Sequence, residues 1–189
     1  MPRPKMVSDT DVLAAAHQLI HERGPDALTF ASLARACGLS ASTLVQRFGS
    51  KPELVRSTLL QAWDRLDEKT ARLAATLPKT ADGAIRLLAT LSRDYGGIES
   101  YAEGLLILRE DLRDPVLRAR GAAWKRSLSG ALDDCFSQVP RAPEGIGLLM
   151  AAQWQGALLW WSFDPQGDVD RFAEDCLRRF VATVVAAPG

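Results

Sequence analysis

The chain has 189 residues, of which 47% are hydrophobic and 24% are charged, and this is the balance of a soluble globular protein with a substantial core. Its formal net charge at pH 7 is zero. Three widely separated cysteines, Cys37, Cys135 and Cys176, argue against a disulfide framework or a CxxC metal site and favour a reducing, cytoplasmic location.

Charge is distributed unevenly along the chain. Residues 1–51 carry six Lys and Arg against four Asp and Glu, a net charge of +2, and the rest of the chain carries −2. This mild asymmetry points to an N-terminal part that faces a polyanion. The first residues, MPRPKMVSDTD, are basic and contain no apolar segment of the kind that marks a signal peptide.

The pattern of apolar residues predicts helices from one end of the chain to the other, without the alternation of strands. The first helix begins near Ser8 and ends at Gly24, which precedes a proline. A second helix starts after Thr29. The turn formed by residues 38–40 includes a glycine and separates it from a third helix over 41–48.

A capping box formed by Ser50 and Glu53 predicts the start of a fourth helix, which runs from Lys51 to about Leu77. The remaining helices are predicted over about 80–96, 100–113, 115–138, 143–163 and 168–186. The fold class is therefore all-α with nine helices. Residues 146–163 are nearly long enough to cross a bilayer, but Gln153 and Gln155 interrupt them, so we predict a buried helix and no membrane partner.

The second and third helices have the geometry of a helix-turn-helix, in which the second helix lies in the major groove of DNA. Helical spacing places Ala41, Leu44 and Phe48 on the packing face of the third helix. The residues that face away from the protein, and that include no acid, are Ser42, Thr43, Gln46 and Arg47. Glutamine suits adenine, arginine suits guanine, and hydroxyl groups suit phosphate oxygens.

The order of residues in this region is also specific. The segment GLSASTLVQRFGSKPEL, residues 38–54, resembles the signature Gly-Val-Ser-x-x-Thr-Leu-Tyr-x-x-Phe-x-x-Lys-x-x-Leu of the TetR family of transcriptional regulators. The upstream segment ALTFASLARACG, residues 27–38, is similar to the family's Leu-Thr-x-x-x-Ile-Ala-x-x-Ala-Gly. The matching positions are Leu28, Thr29, Leu33, Ala34, Gly38, Leu39, Ser40, Thr43, Leu44, Phe48, Lys51 and Leu54.

This resemblance implies a helix-turn-helix DNA-binding domain over residues 1–51 and an effector-binding and dimerisation domain over residues 52–189. The DNA-binding residues it implies are Thr29, Ser40, Ser42, Thr43, Gln46, Arg47 and Lys51, with Ser42, Gln46 and Arg47 as candidate base readers. Val45 departs from the family by replacing a tyrosine that commonly reaches the DNA backbone. We therefore expect this chain to depend more heavily on Arg47.

The last helix carries a wide apolar stripe that repeats over more than four turns. Beside the apolar helix over 143–163, it predicts a four-helix interface with a second copy of the chain. The residues predicted at this interface are Leu149, Gln153, Trp160, Phe172, Cys176, Phe180 and Val184. The alternative is a helix packed only within its own chain.

The five tryptophans all lie after residue 51. They either fill a core or line an apolar cavity suited to a flat, hydrophobic or cationic small molecule. The predicted effector-binding residues are Trp63, Tyr101, Leu105, Trp124, Leu128, Gln153, Trp154 and Trp161. Trp124 lies on an inward stripe and is expected to be buried.

No enzyme motif is present in the sequence, and we predict no catalytic residue, no cofactor and no metal site. His17 and His21 lack a third metal ligand, and the acidic pair of Glu110 and Asp111 is assigned to a solvated helix face. The sequence therefore predicts a cytoplasmic homodimeric repressor that binds a palindromic operator in double-stranded DNA and is released by a small effector. The alternatives are a helical ligand-binding or dimerisation module with impaired DNA binding, and an enzyme that uses the aromatic cavity.

Overall fold

The computed structural model describes residues 7–186, so Arg3 and Lys5 of the basic N-terminus lie outside the described residues. Within that range the chain forms nine α-helices and no strand. The helices are α1 (Asp9–Arg23), α2 (Phe30–Cys37), α3 (Ala41–Phe48), α4 (Lys51–Thr76), α5 (Ala81–Ser92), α6 (Ile98–Arg113), α7 (Pro115–Phe136), α8 (Ile146–Phe163) and α9 (Val169–Ala186). Single 3₁₀ turns lie at Pro25–Ala27 and Arg93–Tyr95. The all-α prediction is confirmed.

The helix starts are fixed by side chains that cap the first free N–H groups. Ser8 caps α1 in a capping box with Asp11. At the start of α4 the Ser50 amide and hydroxyl both donate to Glu53 Oε2, at 2.7 and 2.8 Å. The predicted capping box is thereby confirmed, and its hydrogen bonds from Ser50 lower the pKa of Glu53.

The helices fall into two compact units, and α4, α6 and α7 contribute residues to both. The N-terminal unit comprises the described residues up to Leu66 together with Ala102–Gly121. Its core is made almost entirely of aliphatic side chains from α1 to α4, with Leu117 from α7. The fully buried members include Val12, Ala16, Ile20, Leu28, Leu33, Leu44 and Leu54. Burial of this set holds the first four helices as one body.

The C-terminal unit comprises Asp67–Tyr101 and the described residues from Ala122 onward. In this unit α5 is buried along most of its length and packs against α9, which also packs against α8. Val169, Ala173 and Leu177, spaced at i, i+4 and i+8, are the buried line of α9. None of the helices among the described residues combines the length and apolarity that a membrane span requires.

Candidate nucleic-acid interface

The turn between α2 and α3 is built by a glycine and two capping side chains. Gly38 ends α2 in the left-handed conformation, with φ of 67°, where residues other than glycine pay a steric cost. Thr29 caps α2 by accepting from the Ser32 amide at 3.0 Å. Ser40 caps α3 by accepting from the Thr43 amide at 3.1 Å. These local hydrogen bonds set the angle at which α3 leaves the turn.

Helix α3 is fixed to the N-terminal unit by few contacts. Leu44 is fully buried, Phe48 is partly buried against the same core, and Ser42, Val45 and Gln46 are exposed. Ala41 was predicted on the packing face but is exposed, because it occupies the first position of the helix, where the chain has only just left the turn. The exposed surface of α3 therefore carries an alanine, a serine, a valine and a glutamine.

The Ser42 and Thr43 hydroxyls are held by the same cap. The Ser40 Oγ atom lies 2.8 Å from the Ser42 Oγ and 2.8 Å from the Thr43 Oγ1. This chain of three hydroxyls at the N-terminus of α3 presents donors and acceptors beside free backbone N–H groups, an arrangement that suits a phosphate oxygen.

The prediction that the outward face of α3 has no acid near it is wrong at Arg47. Its guanidinium forms an ion pair with Asp9 at the start of α1, and its Nε atom donates to Asp9 Oδ1 at 2.7 Å. The guanidinium carbon also lies 5.5 Å from the ring centre of Phe48. The prediction considered α3 alone, whereas the acid comes from another helix, 38 residues earlier in the sequence. Asp9 is therefore not among the predicted site residues, and no local pattern in the sequence identifies it as the partner of Arg47.

Lys51 and Thr29 lie near the two ends of the helix-turn-helix segment and are both exposed. The Lys51 Nζ atom is 3.5 Å from the Asp26 carbonyl oxygen, a long hydrogen bond that leaves the ammonium accessible. The seven predicted DNA-binding residues thus all belong to the N-terminal unit, five of them exposed, with Thr43 and Arg47 partly buried.

The predicted effector residues divide between the two units. Trp63 and Leu105 belong to the N-terminal unit, and Tyr101, Trp124, Leu128, Gln153, Trp154 and Trp161 belong to the C-terminal unit. In the C-terminal unit neighbouring ring centres are 5.4 to 6.5 Å apart along the series Trp124, Trp154, Tyr95, Tyr101 and Trp161. Trp124 is buried, as its helical spacing predicts. Tyr95 is not among the residues predicted from the sequence, and its removal from water raises its pKa to about 12.

The buried indole groups of this series have hydrogen-bond partners in the same unit. Trp124 Nε1 donates to Thr70 Oγ1 at 3.1 Å, and Trp154 Nε1 donates to Ser92 Oγ at 2.8 Å. Both hydroxyl-bearing residues are themselves buried. The rings are therefore fixed in orientation by polar contacts as well as by packing.

The sequence predicts Asp111 on a solvated helix face, but Asp111 is buried, with 8% of its surface exposed. The prediction relied on its charged neighbours in sequence, whereas helical geometry turns Asp111 towards α4. Its Oδ1 accepts from Trp63 Nε1 at 3.1 Å. Burial raises the pKa of Asp111, and the Glu110 charge raises it further against the hydrogen bond from Trp63.

One surface cavity lies along α1, with a volume of about 690 Å³. Its lining includes Asp11, His17, His21, Glu22 and Arg65, and none of the predicted effector residues. Burial lowers the pKa of His17, with the neighbouring His21 charge acting in the same direction. Among the described residues no three His, Cys, Asp or Glu side chains are grouped so that they could hold a metal ion.

The predicted interface residues all belong to α8 and α9 of the C-terminal unit. On α8 Leu149 is 45% exposed and Trp160 70% exposed, and the neighbouring Phe163 is 75% exposed. On α9 the predicted residues Phe172, Cys176, Phe180 and Val184 are half-buried, because the adjacent line of this helix packs within the chain. Gln153 is also half-buried. Large apolar side chains are thus left exposed on α8.

Comparisons with known proteins agree with this architecture. Residues 12–58 match the family model of bacterial regulatory proteins, tetR family. Over 119 residues the chain is 29% identical to an uncharacterised HTH-type transcriptional regulator of Mycobacterium bovis. The match covers 61% of this chain and 54% of the relative, so the chain spans about half the length of the curated relatives it matches.

Two solved structures share the fold. A transcriptional regulator of Saccharomonospora viridis, in complex with choline, has a TM-score of 0.71 at 19% identity, covering 90% of this chain and 93% of its own. The multidrug binding protein EbrR, complexed with malachite green, has a TM-score of 0.63 at 20% identity, covering 92% and 98%. The family match over residues 12–58 includes the helix-turn-helix of α2 and α3, so this part of the chain is similar to the DNA-binding segment of the tetR family, and the fold of the chain is that of these two solved structures.

Proposed function

We propose that this chain is a transcriptional repressor that binds an inverted-repeat DNA operator as a homodimer and is released by a small apolar or aromatic effector. The observation that carries the proposal is the exposed face of α3, where Ser42 and Gln46 are open to solvent on a helix held by a capped turn. A helix of this kind fits the major groove, and an exposed glutamine can read adenine through two hydrogen bonds. Its place of action would be the cytoplasm, and it would need no catalytic group or cofactor.

The homodimer is supported by the exposed apolar face of α8. Trp160 and Phe163 lie with ring centres 5.8 Å apart, and both are mostly exposed in the isolated chain. Aromatic groups of this size are enriched at the buried centres of protein interfaces. A two-fold axis at this face would also supply two copies of α3, which a palindromic operator requires.

The effector proposal rests on the aromatic series in the C-terminal unit. Closely spaced aromatic rings favour flat apolar molecules, and their faces also attract cations. The Saccharomonospora viridis regulator, whose fold matches at a TM-score of 0.71, is in complex with choline, and this supports a cationic effector. Release would follow if the effector binds more tightly to a conformation in which the two α3 helices no longer match successive major grooves.

The test is an electrophoretic mobility shift with the DNA upstream of the protein's own gene, followed by titration with candidate effectors. We expect a salt-sensitive shift on an inverted repeat and its reversal by an aromatic or cationic molecule. If no inverted repeat in that region is shifted at low salt, the repressor proposal fails. In that case a helical ligand-binding or dimerisation module becomes the better description.

A further inference from the structure

The Arg47 side chain is held by an acid from a different helix. Two of its nitrogen atoms, Nε and Nη2, donate to the same Asp9 oxygen. Arginine has five N–H donors in a planar fork, so one edge of the guanidinium is occupied, and the Nη1 end has no hydrogen-bond partner among the described residues. Arg47 has 24% of its side chain exposed, whereas Asp9 has 66% exposed.

This contact has different consequences for two ways of binding DNA. An arginine that reads guanine with its free end can keep its other edge on a carboxylate, because the two contacts use different N–H groups. A side-on contact of Nε and Nη2 with a phosphate, in contrast, uses the N–H groups that Asp9 occupies, so the arginine must leave the carboxylate and lose the ion pair. The Asp9 charge also repels the phosphate backbone directly.

We propose that Asp9 is a positioning residue that sets the DNA selectivity of Arg47, penalising phosphate-only contacts more than contacts to the operator bases. This inference rests on the proposed function, because it concerns the selectivity of the same DNA-binding surface. The phenyl ring of Phe48 beneath the guanidinium further restricts the side chain. Asp9 thus has two effects: it lowers the affinity for DNA of arbitrary sequence, and it fixes the orientation of the Arg47 guanidinium.

The experiment compares the affinity of the full-length protein for its operator duplex and for a scrambled duplex of equal length. We expect Asp9→Asn to raise scrambled-duplex affinity about threefold, within the range of an exposed ion pair, and to change operator affinity less. The slope of log affinity against log salt concentration on scrambled DNA should steepen by nearly two units, because each of the two Arg47 side chains in the dimer gains a phosphate. Asp9→Glu keeps the carboxylate and should therefore keep the ratio of the two affinities close to that of the wild-type protein.

Two further variants separate positioning from general charge. Glu22→Gln makes the same charge change at the other end of α1, about 20 Å from Asp9, and should leave the affinity ratio unaltered. In an Arg47→Ala background Asp9→Asn should no longer change the ratio. An unchanged ratio in Asp9→Asn, or an equal change without Arg47, overturns the inference.

The ion pair between Arg47 and Asp9 can be detected by nuclear magnetic resonance without DNA. In nitrogen-labelled protein the Arg47 Nε–H signal should exchange slowly with water, and Asp9→Asn should accelerate its exchange severalfold. A signal that exchanges equally fast in both proteins overturns the pairing. If the wild-type protein binds no DNA, the proposed function fails and selectivity fails with it, whereas DNA binding with an unchanged ratio overturns this inference alone.

Discussion

Two carboxylates three residues apart, Asp111 and Asp114, show how little a sequence neighbourhood says about the environment of a charge. Burial raises the pKa of Asp111. Asp114 instead accepts from Arg56 Nε at 2.6 Å and from the Val116 amide at 2.8 Å. The Arg56 contact holds the pKa of Asp114 below its usual value. The two acids should therefore affect stability with opposite dependence on pH.

We expect Asp111→Asn to stabilise the protein at neutral pH. A raised folded-state pKa makes the free energy of unfolding fall as pH rises through it, because the folded state then has to hold a buried charge. Asparagine keeps an acceptor for the Trp63 indole and carries no charge. The gain in Tm measured by circular dichroism should be present at pH 7 and absent below the usual aspartate value of 3.8. An equal gain at both pH values would contradict this account.

Asp114→Asn is the matched comparison and should behave in the opposite way. Its lowered folded-state pKa provides stability that is fully present above the usual value and is lost as pH falls. Asparagine can still cap the first turn of α7 but loses the ion pair with Arg56. The Tm should therefore drop at pH 7 and approach that of wild type in acid. A variant that is equally destabilised at both pH values would indicate a lost cap instead.

Gln46 tests base reading at a single residue. Gln46→Ala should weaken operator binding about thirtyfold or more, as expected for one bidentate contact of ~1 kcal/mol or more in each half-site, and relax the preference at one base pair of each half-site. Binding to scrambled DNA should be unchanged. Competition among operators substituted at each position measures this. Gln18→Ala, which alters another exposed glutamine on α1, is the control, and a uniform loss on all DNA would refute base reading by Gln46.

Helices and their ends are the part of this structure that local sequence encodes well. The caps of α2 and α3 need only residues three positions apart, and the observed bounds Phe30–Cys37 and Ala41–Phe48 match the predicted ones. The ion pair of Arg47 with Asp9 and the burial of Asp111 both arise from packing between separate helices. Neither has a periodic or local signal, so sequence alone could not provide them.

The left-handed conformation of Gly38, in the turn between α2 and α3, can be tested by substitution. Gly38→Ala should destabilise the protein by about 1 kcal/mol, because its φ of 67° is costly for alanine. A Cβ at this position meets no atom within 4 Å, so the cost is confined to the backbone. Urea unfolding measures it, and operator binding should fall as the angle of α3 loosens.

Gly130→Ala provides the contrast within a helix. Gly130 lies inside α7, is exposed, and a Cβ there also meets nothing within 4 Å. Alanine should therefore raise stability by about 0.5–1 kcal/mol, as expected from helix propensity. If both glycine variants shift the urea midpoint in the same direction, the left-handed conformation of Gly38 is not what its substitution disturbs.

In the molecule as a whole, one side of α8 is not covered by the described part of its own chain. Its buried side includes Met150, Trp154, Leu158 and Trp161, whereas its other side exposes Leu149, Trp160 and Phe163. The sequence predicts an apolar helix that is buried on both sides. Within one chain only one side is buried, so the expectation holds only if a second copy covers the remainder.

Trp160→Glu tests whether that second copy exists. Trp160 is 70% exposed in the single chain, so its replacement should leave helical content and the monomer fold unchanged. In a dimer centred on α8 the new carboxylate would be buried against apolar groups, and loss of a central aromatic typically costs ~2 kcal/mol or more. We therefore expect the dimer dissociation constant from analytical ultracentrifugation to rise at least about thirtyfold, with a matching loss of operator affinity. Leu112→Glu, at a position that is 57% exposed in the N-terminal unit, makes a comparable change and should keep the dimer. A Trp160→Glu protein that remains dimeric at nanomolar concentration would place the dimer interface on another face of the chain.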